Sequence, residues 1–278
     1  MSGNSEKKVA IVTGGSSGIG KATVKGLLKE GFQVHALARR TERMKDLEDL
    51  GAETGFLDLT ETKSIADAVN SVLEKSGRID VLVNNAGYGS YGTVEDVPLE
   101  EARRQFEVNL FGLARITQLV LPVMRSQGSG RIVNISSMGG KIYLPLGAWY
   151  HATKHALEGW SDVLRNDVAS FGIKVVIIEP GVIQTEWEGI ARESALRFSG
   201  DTAYGEMTRN FAEMLENIYG GGKGSPPEVV ANTIVKAVRV KRPRTRYPVG
   251  VWAKPLLLIR SLLSDRAFDR LIRKVYGI

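Results

Sequence analysis

Residues 9–31 read VAIVTGGSSGIGKATVKGLLKEG, and their reading decides the fold. VAIVT is a short apolar run, rich in β-branched side chains, that ends on a glycine. A strand covered on both faces has this unbroken apolar character. The glycines that follow permit a tight turn and let a ligand phosphate approach the backbone closely. SGIGKATVKGLLKEG then reads as a helix that closes at Gly31. A helix start placed there points free amides and the positive end of its dipole at that phosphate. Strand, glycine-rich turn and helix in this order suggest dinucleotide binding, whereas a glycine-rich turn alone is a weak signal.

The same alternation continues along the chain. FQVHALA, ETGFLDL, IDVLVNNAG, RIVNISS and IKVVIIEPG read as further strands. Between them lie helix-length amphipathic stretches: TERMKDLEDL, ETKSIADAVNSVLEKSG, a long helix over about 99–127 and another over about 148–170. This order predicts an α/β fold with a parallel sheet and helices on both faces, doubly wound by right-handed crossovers. The length of 278 residues suits one large α/β domain or two small ones. Residues 184–225 break the rhythm and lie beyond the carboxyl ends of the strands, where open α/β sheets bind ligands, so a mobile lid over a substrate pocket is expected there. GGGKGSPP at 220–227 reads as a flexible loop, since it lacks both the preceding strand and the spacing of a P-loop. Residues 226–278 hold a last helix, a last strand approached through KRPRTRYPVG, and a basic tail.

Composition removes several function classes. The chain has no cysteine, which excludes disulfides, thiolate metal sites and cysteine nucleophiles. The three histidines, His35, His151 and His155, have no carboxylate cluster at ligand spacing, so no metal is expected. The net charge of +6 is confined to one end: residues 236–278 carry twelve Lys/Arg against two Asp/Glu, and the rest is slightly acidic. Composition therefore gives no nucleic-acid binder. No apolar run approaches the ~18 residues of a membrane span, and MSGNSEKK lacks the apolar core of a signal peptide. A cytoplasmic protein is expected. Phe268, Leu271, Ile272 and Val275 form an apolar helical stripe with arginines opposite. The stripe can dock on its own domain or a second subunit, the preferred reading, or lie on anionic lipid as a peripheral membrane contact.

Two local patterns bear on chemistry. In AWYHATKHAL, Tyr150 and Lys154 are four residues apart and share a helix face. An ammonium that close lowers a phenol's pKa and makes a candidate acid/base, although solvated helix faces carry the same pair. The second strand ends in ALARR, with Ala38 where an acid would accept hydrogen bonds from the ribose hydroxyls of NAD. Arg39 and Arg40 follow, and an arginine there pairs with a 2′-phosphate, which indicates NADP(H); the alternative is the start of a solvated loop.

TGGSSGIG, NNAG (84–87), IVNISS (132–137), YHATK (150–154) and PGVIQT (180–185) occur in order and at fitting spacing. Together they resemble the short-chain dehydrogenase/reductase family, closely over residues 8–185 and more loosely through the tail. The resemblance implies a single Rossmann domain over residues 1–278, usually with seven parallel strands, in which 8–185 form the cofactor-binding and catalytic core. It implies Tyr150 as general acid/base, Lys154 as the residue that lowers its pKa and holds the nicotinamide ribose, and Ser137 as the carbonyl-orienting hydroxyl, with Ser136 one residue out of register. Asn109 resembles the asparagine that kinks the long helix beside the lysine. Gly14, Ser16, Ser17, Gly18, Ile19 and Gly20 match the phosphate turn, Arg39 and Arg40 the 2′-phosphate end, and Asp58 with Leu59 the adenine contact. Asn85, Ala86 and Gly87 match the loop beside the adenosine ribose; Pro180, Gly181, Ile183 and Thr185 match the nicotinamide segment. Met138, Tyr143, Leu144, Trp149, Val182 and Trp187 fall where the family places substrate contacts, and their apolar character suggests a lipophilic substrate, with ordinary core packing as the alternative. Glu186 and Glu188 read as solvated lid carboxylates.

The implied function is NADP(H)-dependent hydride transfer between nicotinamide and a ketone or secondary alcohol. The tail loosely resembles the hydroxysteroid-dehydrogenase-like and acyl-dihydroxyacetone-phosphate-reductase-like branches. The rival functions are a nucleotide-binding regulator or scaffold and a membrane-surface lipid ketone reductase. Family members often form dimers or tetramers through the long helices, so a homo-oligomer is a further expectation.

Overall fold

The computed structural model describes residues 7–219 and 222–276. The N-terminal expectation for residues 1–6, and the first two glycines of 220–227, lie outside them. Strand β1 (Val9–Thr13) is buried along its whole length. Its side chains alternate between two cores, as the period of two requires: Ala10 and Val12 face one, Val9 and Ile11 the other. Around it lie β2 (Gln33–Ala38), β3 (Glu53–Phe56), β4 (Val81–Asn84), β5 (Gly130–Ile135), β6 (Ile173–Pro180) and β7 (Arg246–Val249). They form one parallel sheet in the order β3-β2-β1-β4-β5-β6-β7. The order reverses between β1 and β4, and the crevice at that switch point is where such a sheet binds a ligand.

Helices cover both faces. On the first, α1 (Gly18–Lys29) packs beside α9 (Pro227–Arg239) through Val24, Leu27, Val230 and Ile234. On the second, α3 (Thr62–Ser76), α5 (Gly112–Ser126) and α6 (Ala148–Asp167) bury Ile65, Val69, Ile116, Val120 and Leu164. The expected second helix is smaller than its sequence suggests: a 3₁₀ turn over Thr41–Met44 and a single turn, α2 (Lys45–Glu48), inserting only Met44 and Leu47.

The expected long helix is interrupted. Helix α4 (Leu99–Phe106) passes through a π-bulge at Glu107–Phe111 into α5. By length and composition the combined helix Leu99–Ser126 could cross a membrane, contrary to the sequence expectation. Its Leu113, Ile116, Val120 and Met124 are buried in the domain instead.

Residues 184–225 form a helical hairpin, α7 (Trp187–Ser199) and α8 (Gly205–Tyr219). Both ends of the insertion meet at its base: Gln184 N–H donates to Ser225 O (2.9 Å) and Ser225 N–H to Val182 O (3.0 Å). Helix α7 is pinned to the loop after β4, where Tyr91 N–H donates to Ser194 Oγ (2.8 Å) and Thr93 N–H to Ser199 Oγ (2.9 Å). Helix α8 precedes the glycines of 220–227, so that stretch has no P-loop strand before it.

The tail folds back as α10 (Ala253–Leu262) and α11 (Asp265–Tyr276). Phe268 is fully buried, edge-on to Tyr143 at 5.1 Å, and Tyr276 stacks on Phe211. The docked stripe therefore runs through Phe268, Ile272 and Tyr276. Val275, assigned to the stripe by its spacing, is 58% exposed. The reason is helical phase: each four-residue step from Phe268 to Ile272 to Tyr276 advances about 40° round the helix, so the docked line slants and by the last turn lies about 100° from Val275.

Candidate active site

The phosphate turn forms because its backbone has no room for side chains. Gly14 has φ +70°, and a Cβ there would sit 2.9 Å from Ala86 Cα. Gly20 lies against the turn from behind, where a Cβ would come 2.2 Å from Gly14 O. It does not face the cleft, in contrast to the other predicted turn residues; it lets α1 close on β1. Thr13 and Asn85 knit the ends of β1 and β4 together. The Asn85 amide donates to Thr13 O (2.9 Å), and the Asn85 and Ala86 N–H groups donate to Thr13 Oγ1 (3.0 Å each). Ser17 occupies the N-cap of α1 without capping it, so the first amides stay available to an anion.

A cleft of about 430 Å³ runs from this turn across the sheet's carboxyl edge. Gly14, Ser16, Ser17, Gly18, Ile19, Arg39, Arg40, Asp58, Leu59, Asn85, Ala86 and Gly87 line one end; Pro180, Gly181, Ile183 and Thr185 line its middle. Uncapped helix amides, a glycine cradle and two guanidinium groups form a donor set that fits a phosphorylated dinucleotide.

Tyr150, Lys154 and Ser137 stand at the centre. Helix α6 presents Tyr150 and Lys154 on one face, both buried, with the Lys154 Nζ 6.0 Å from the Tyr150 ring centroid. That Nζ donates to Ile135 O at 2.9 Å. Burial pulls the Lys154 pKa down to about 8, and the Glu158 carboxylate opposes the shift. Burial pushes Tyr150 up to about 12, and the hydrogen bond to Ser137 pulls the other way. The sequence reading had the lysine lowering this pKa. In the protein alone the loss of solvent around the phenol dominates, because Nζ lies over the ring and bonds to a backbone carbonyl. Ser137, not Ser136, meets Tyr150, and its Oγ accepts from Gly139 N–H at 3.0 Å. Ser136 is buried behind it.

Asn109 sits in the middle of the π-bulge and is buried. Its amide donates to Tyr88 O (2.9 Å) and Thr153 Oγ1 (3.1 Å), and its Oδ1 accepts from Tyr88 N–H (3.1 Å). The bulge turns this side chain towards α6 and the loop after β4, beside Lys154. π-bulges of this kind gather at functional sites.

Beyond Tyr150 the cleft opens into an apolar chamber. Met138, Leu144, Val182 and Trp187 line it as expected. Trp149 and Tyr143 do not. Trp149 is one residue from Tyr150 and so about 100° round the helix; Tyr143 turns outward to Phe268 and donates to Asp269 Oδ1 at 2.8 Å. Sequence reasoning missed much of the wall, including Tyr91, Ile190, Phe211, Met214, Leu215, Ile218 and Tyr219. The spacing of Phe211, Met214, Leu215 and Ile218 in RNFAEMLENIY is the signal that could have found the α8 face. His151, one of the three histidines, braces the loop carrying Ser137. Its Nδ1 bonds Gly139 O (2.9 Å), and its Nε2 accepts from Leu144 N–H (3.1 Å). Burial holds its pKa near 4, so it serves as a neutral strut. No His, Cys, Asp or Glu cluster among the described residues could hold a metal ion.

Glu186 is exposed, as expected, and it also bridges Arg40 (2.8 Å) and Arg43 (2.6 Å). Behind the site lies a buried charge cluster. Glu158 and Glu179 are 2% and 3% exposed and share Arg246, at 3.0 and 3.7 Å. Burial and the charge of Glu158 raise the Glu179 pKa from 4.5 to about 7, against the pull of Arg246 and Lys141. Between these values the folded state holds a proton that the unfolded chain has released, so this group's contribution to stability falls as pH rises from about 4.5 through 7. Glu179→Gln should therefore narrow the difference between urea midpoints measured at pH 5 and pH 8; an unchanged difference would show that Glu179 does not titrate there.

The model of the short chain dehydrogenase family matches residues 8–195. The chain is 34% identical over 267 residues to a probable short-chain type dehydrogenase/reductase of Helicobacter pylori, covering 96% of this chain and 97% of that one. It is 34% identical over 276 residues to the NADPH-dependent 3-dehydrocapnine reductase of Ornithobacterium rhinotracheale, covering 96% of each. A crystal structure of a short-chain dehydrogenase from Streptomyces avermitilis superposes with a TM-score of 0.80 at 36% identity, covering 98% of this chain and 97% of the other. The crevice at the β1/β4 switch point, the Ser137–Tyr150–Lys154 centre and these likenesses agree: the chain belongs to the short-chain dehydrogenase family of oxidoreductases.

Proposed function

We propose that the protein is an NADP(H)-dependent reductase, or dehydrogenase, of a lipophilic ketone or secondary alcohol. The observation that carries this reading is the polarity of the cleft. Its adenosine end presents Arg39 and Arg40, whereas the chamber beyond Tyr150 is lined by Tyr91, Leu144, Trp187, Phe211, Met214 and Tyr219. Among the described residues, the charged side chains that line the cleft are Arg39, Arg40, Asp58, Lys154 and Glu186. A guanidinium beside the adenosine ribose matches a 2′-phosphate, and an apolar wall matches a substrate whose only polar group is the reacting oxygen. The NADPH dependence of the Ornithobacterium relative is in keeping with this.

A bound nicotinamide supplies the hydride for the carbonyl carbon. The protein's own groups act on the oxygen. The Ser137 hydroxyl donates a hydrogen bond that places the carbonyl and stabilises the negative charge developing on it. Tyr150, protonated at neutral pH, gives its proton to that oxygen. The Lys154 ammonium beside the ring stabilises the phenolate left behind, and Asn109 fixes the backbone beside it. In the oxidative direction the same groups act in reverse.

The test is calorimetric titration of wild type and Arg39→Ala with NADPH and NADH. NADPH should bind tighter, and the variant should lose about 10–100-fold in NADPH affinity, as expected for a charge-assisted contact, with NADH little changed. Equal affinities in wild type would remove the NADP(H) assignment. Cofactor oxidation across ketones of increasing apolar bulk then tests the chamber.

A further inference from the structure

Glu186 is a charged wall residue of the cleft to which the chemistry above gives no role. It follows Thr185, at the point where β6 hands over to the α7–α8 hairpin. One of its oxygens is 2.8 Å from Arg40 Nη2 and the other 2.6 Å from Arg43 Nη1. The same Arg40 nitrogen donates to Ser17 Oγ at 3.2 Å, which fixes the guanidinium against the phosphate turn. Arg39, by contrast, makes no ion pair or hydrogen bond among the described residues and is exposed. One carboxylate thus occupies Arg40, which lines the cleft, together with Arg43 beside it, while Arg39 lines the cleft unpaired.

A carboxylate and a phosphate monoester use guanidinium donors in the same way. A 2′-phosphate carries about two negative charges at neutral pH against the carboxylate's one. The Arg40–Glu186 pair is also half-exposed, with side chains 42% and 46% accessible, so its attraction is weak and readily exchanged. We propose that Glu186 is a specificity-determining residue, an internal anion that holds Arg40 and Arg43 in the free enzyme and is displaced from Arg40 by the cofactor's 2′-phosphate. This rests on the NADP(H) reading above. NADH has no phosphate to compete with and leaves the pair in place. Glu186 therefore sets how far NADPH is preferred, with Arg39 as the guanidinium open to the phosphate from the start.

The test is calorimetric binding of NADPH, NADH and adenosine 2′,5′-bisphosphate to wild type, Glu186→Gln, Arg40→Ala and the double variant. Relief of a half-exposed ion pair should tighten NADPH and the bisphosphate about three- to tenfold in Glu186→Gln and leave NADH within about twofold. The gain should disappear when Arg40 is already alanine. Weaker binding of NADPH and NADH alike would overturn the proposal and make the ion pair a strap across the cofactor. Unchanged binding would overturn it too, leaving a surface ion pair. If wild type does not prefer NADPH at all, the NADP(H) assignment fails first; a preference that Glu186→Gln leaves untouched fails this proposal alone. Glu186 is exposed, and matching melting temperatures check that each variant is folded.

Discussion

Tyr150→Phe should lower kcat by about 10²–10⁴-fold, the usual contribution of a positioned general acid, while NADPH binding stays near wild type. The substitution removes one oxygen from a well-packed ring. The Phe ring keeps its contacts with Tyr91 at 5.6 Å and Trp187 at 5.5 Å, so the chamber keeps its shape. What disappears is the proton donor that meets Ser137, and the developing alkoxide must then find its proton elsewhere. Tyr91 cannot replace it: its phenol is fully enclosed, and burial holds its pKa well above the ordinary value. Single-turnover kinetics at saturating cofactor and ketone separate this loss from binding. Full turnover in the variant would show that the acid lies elsewhere.

Arg246→Met should destabilise the fold by about 3 kcal/mol at pH 8, the low end of the cost of breaking a buried ion pair. The guanidinium lies on the edge strand, where 27% of its side chain is accessible, and that exposure moderates the effect. It touches Glu158 Oε2 (3.0 Å), Asp162 Oδ2 (2.6 Å) and Glu179 Oε1 (3.7 Å). Without it, Glu158 keeps only Lys141 at 3.3 Å, and Glu179 keeps no cation within bonding distance among the described residues. The two enclosed carboxylates then face each other with most of their neutralising charge gone. Protonation relieves this, so the loss should shrink towards pH 5, and Glu179→Gln in the same chain should recover part of it. Urea unfolding at the two pH values measures both effects. A loss independent of pH would assign Arg246 to packing through its aliphatic stem.

Much of this was legible in the sequence, for identifiable reasons. A strand such as VAIVT, covered on both faces, cannot hide its apolar run, and Gly14 marks a backbone angle that other residues resist. Those signals are local. The fold class, the phosphate turn and the Tyr150–Lys154 face followed from them. What escaped depends on residues far apart in the chain. Glu186 reads as one more exposed lid carboxylate until β2 brings Arg40 to it across 146 positions. The chamber wall needed α8 to return over the sheet. Tyr150's pKa was read from its neighbour in sequence, whereas the surrounding bulk sets it. Trp149 and Val275 show the opposite limit: a one-residue shift in helical phase turned an expected contact away from its target.

The joined base of the α7–α8 hairpin has a consequence for how such a protein can change. Val182 and Gln184 pair with Ser225, so roughly forty residues leave the sheet and return to it through one doorway. The Ser137–Tyr150–Lys154 centre lies on the sheet side of that doorway, and the chamber walls Phe211, Met214 and Tyr219 lie beyond it. A lengthened, shortened or exchanged hairpin alters the closure entropy of a loop whose ends stay fixed, and that cost grows only slowly with length. Substrate range can therefore drift, or be redesigned, as a replaceable cassette while the reaction itself is inherited unchanged.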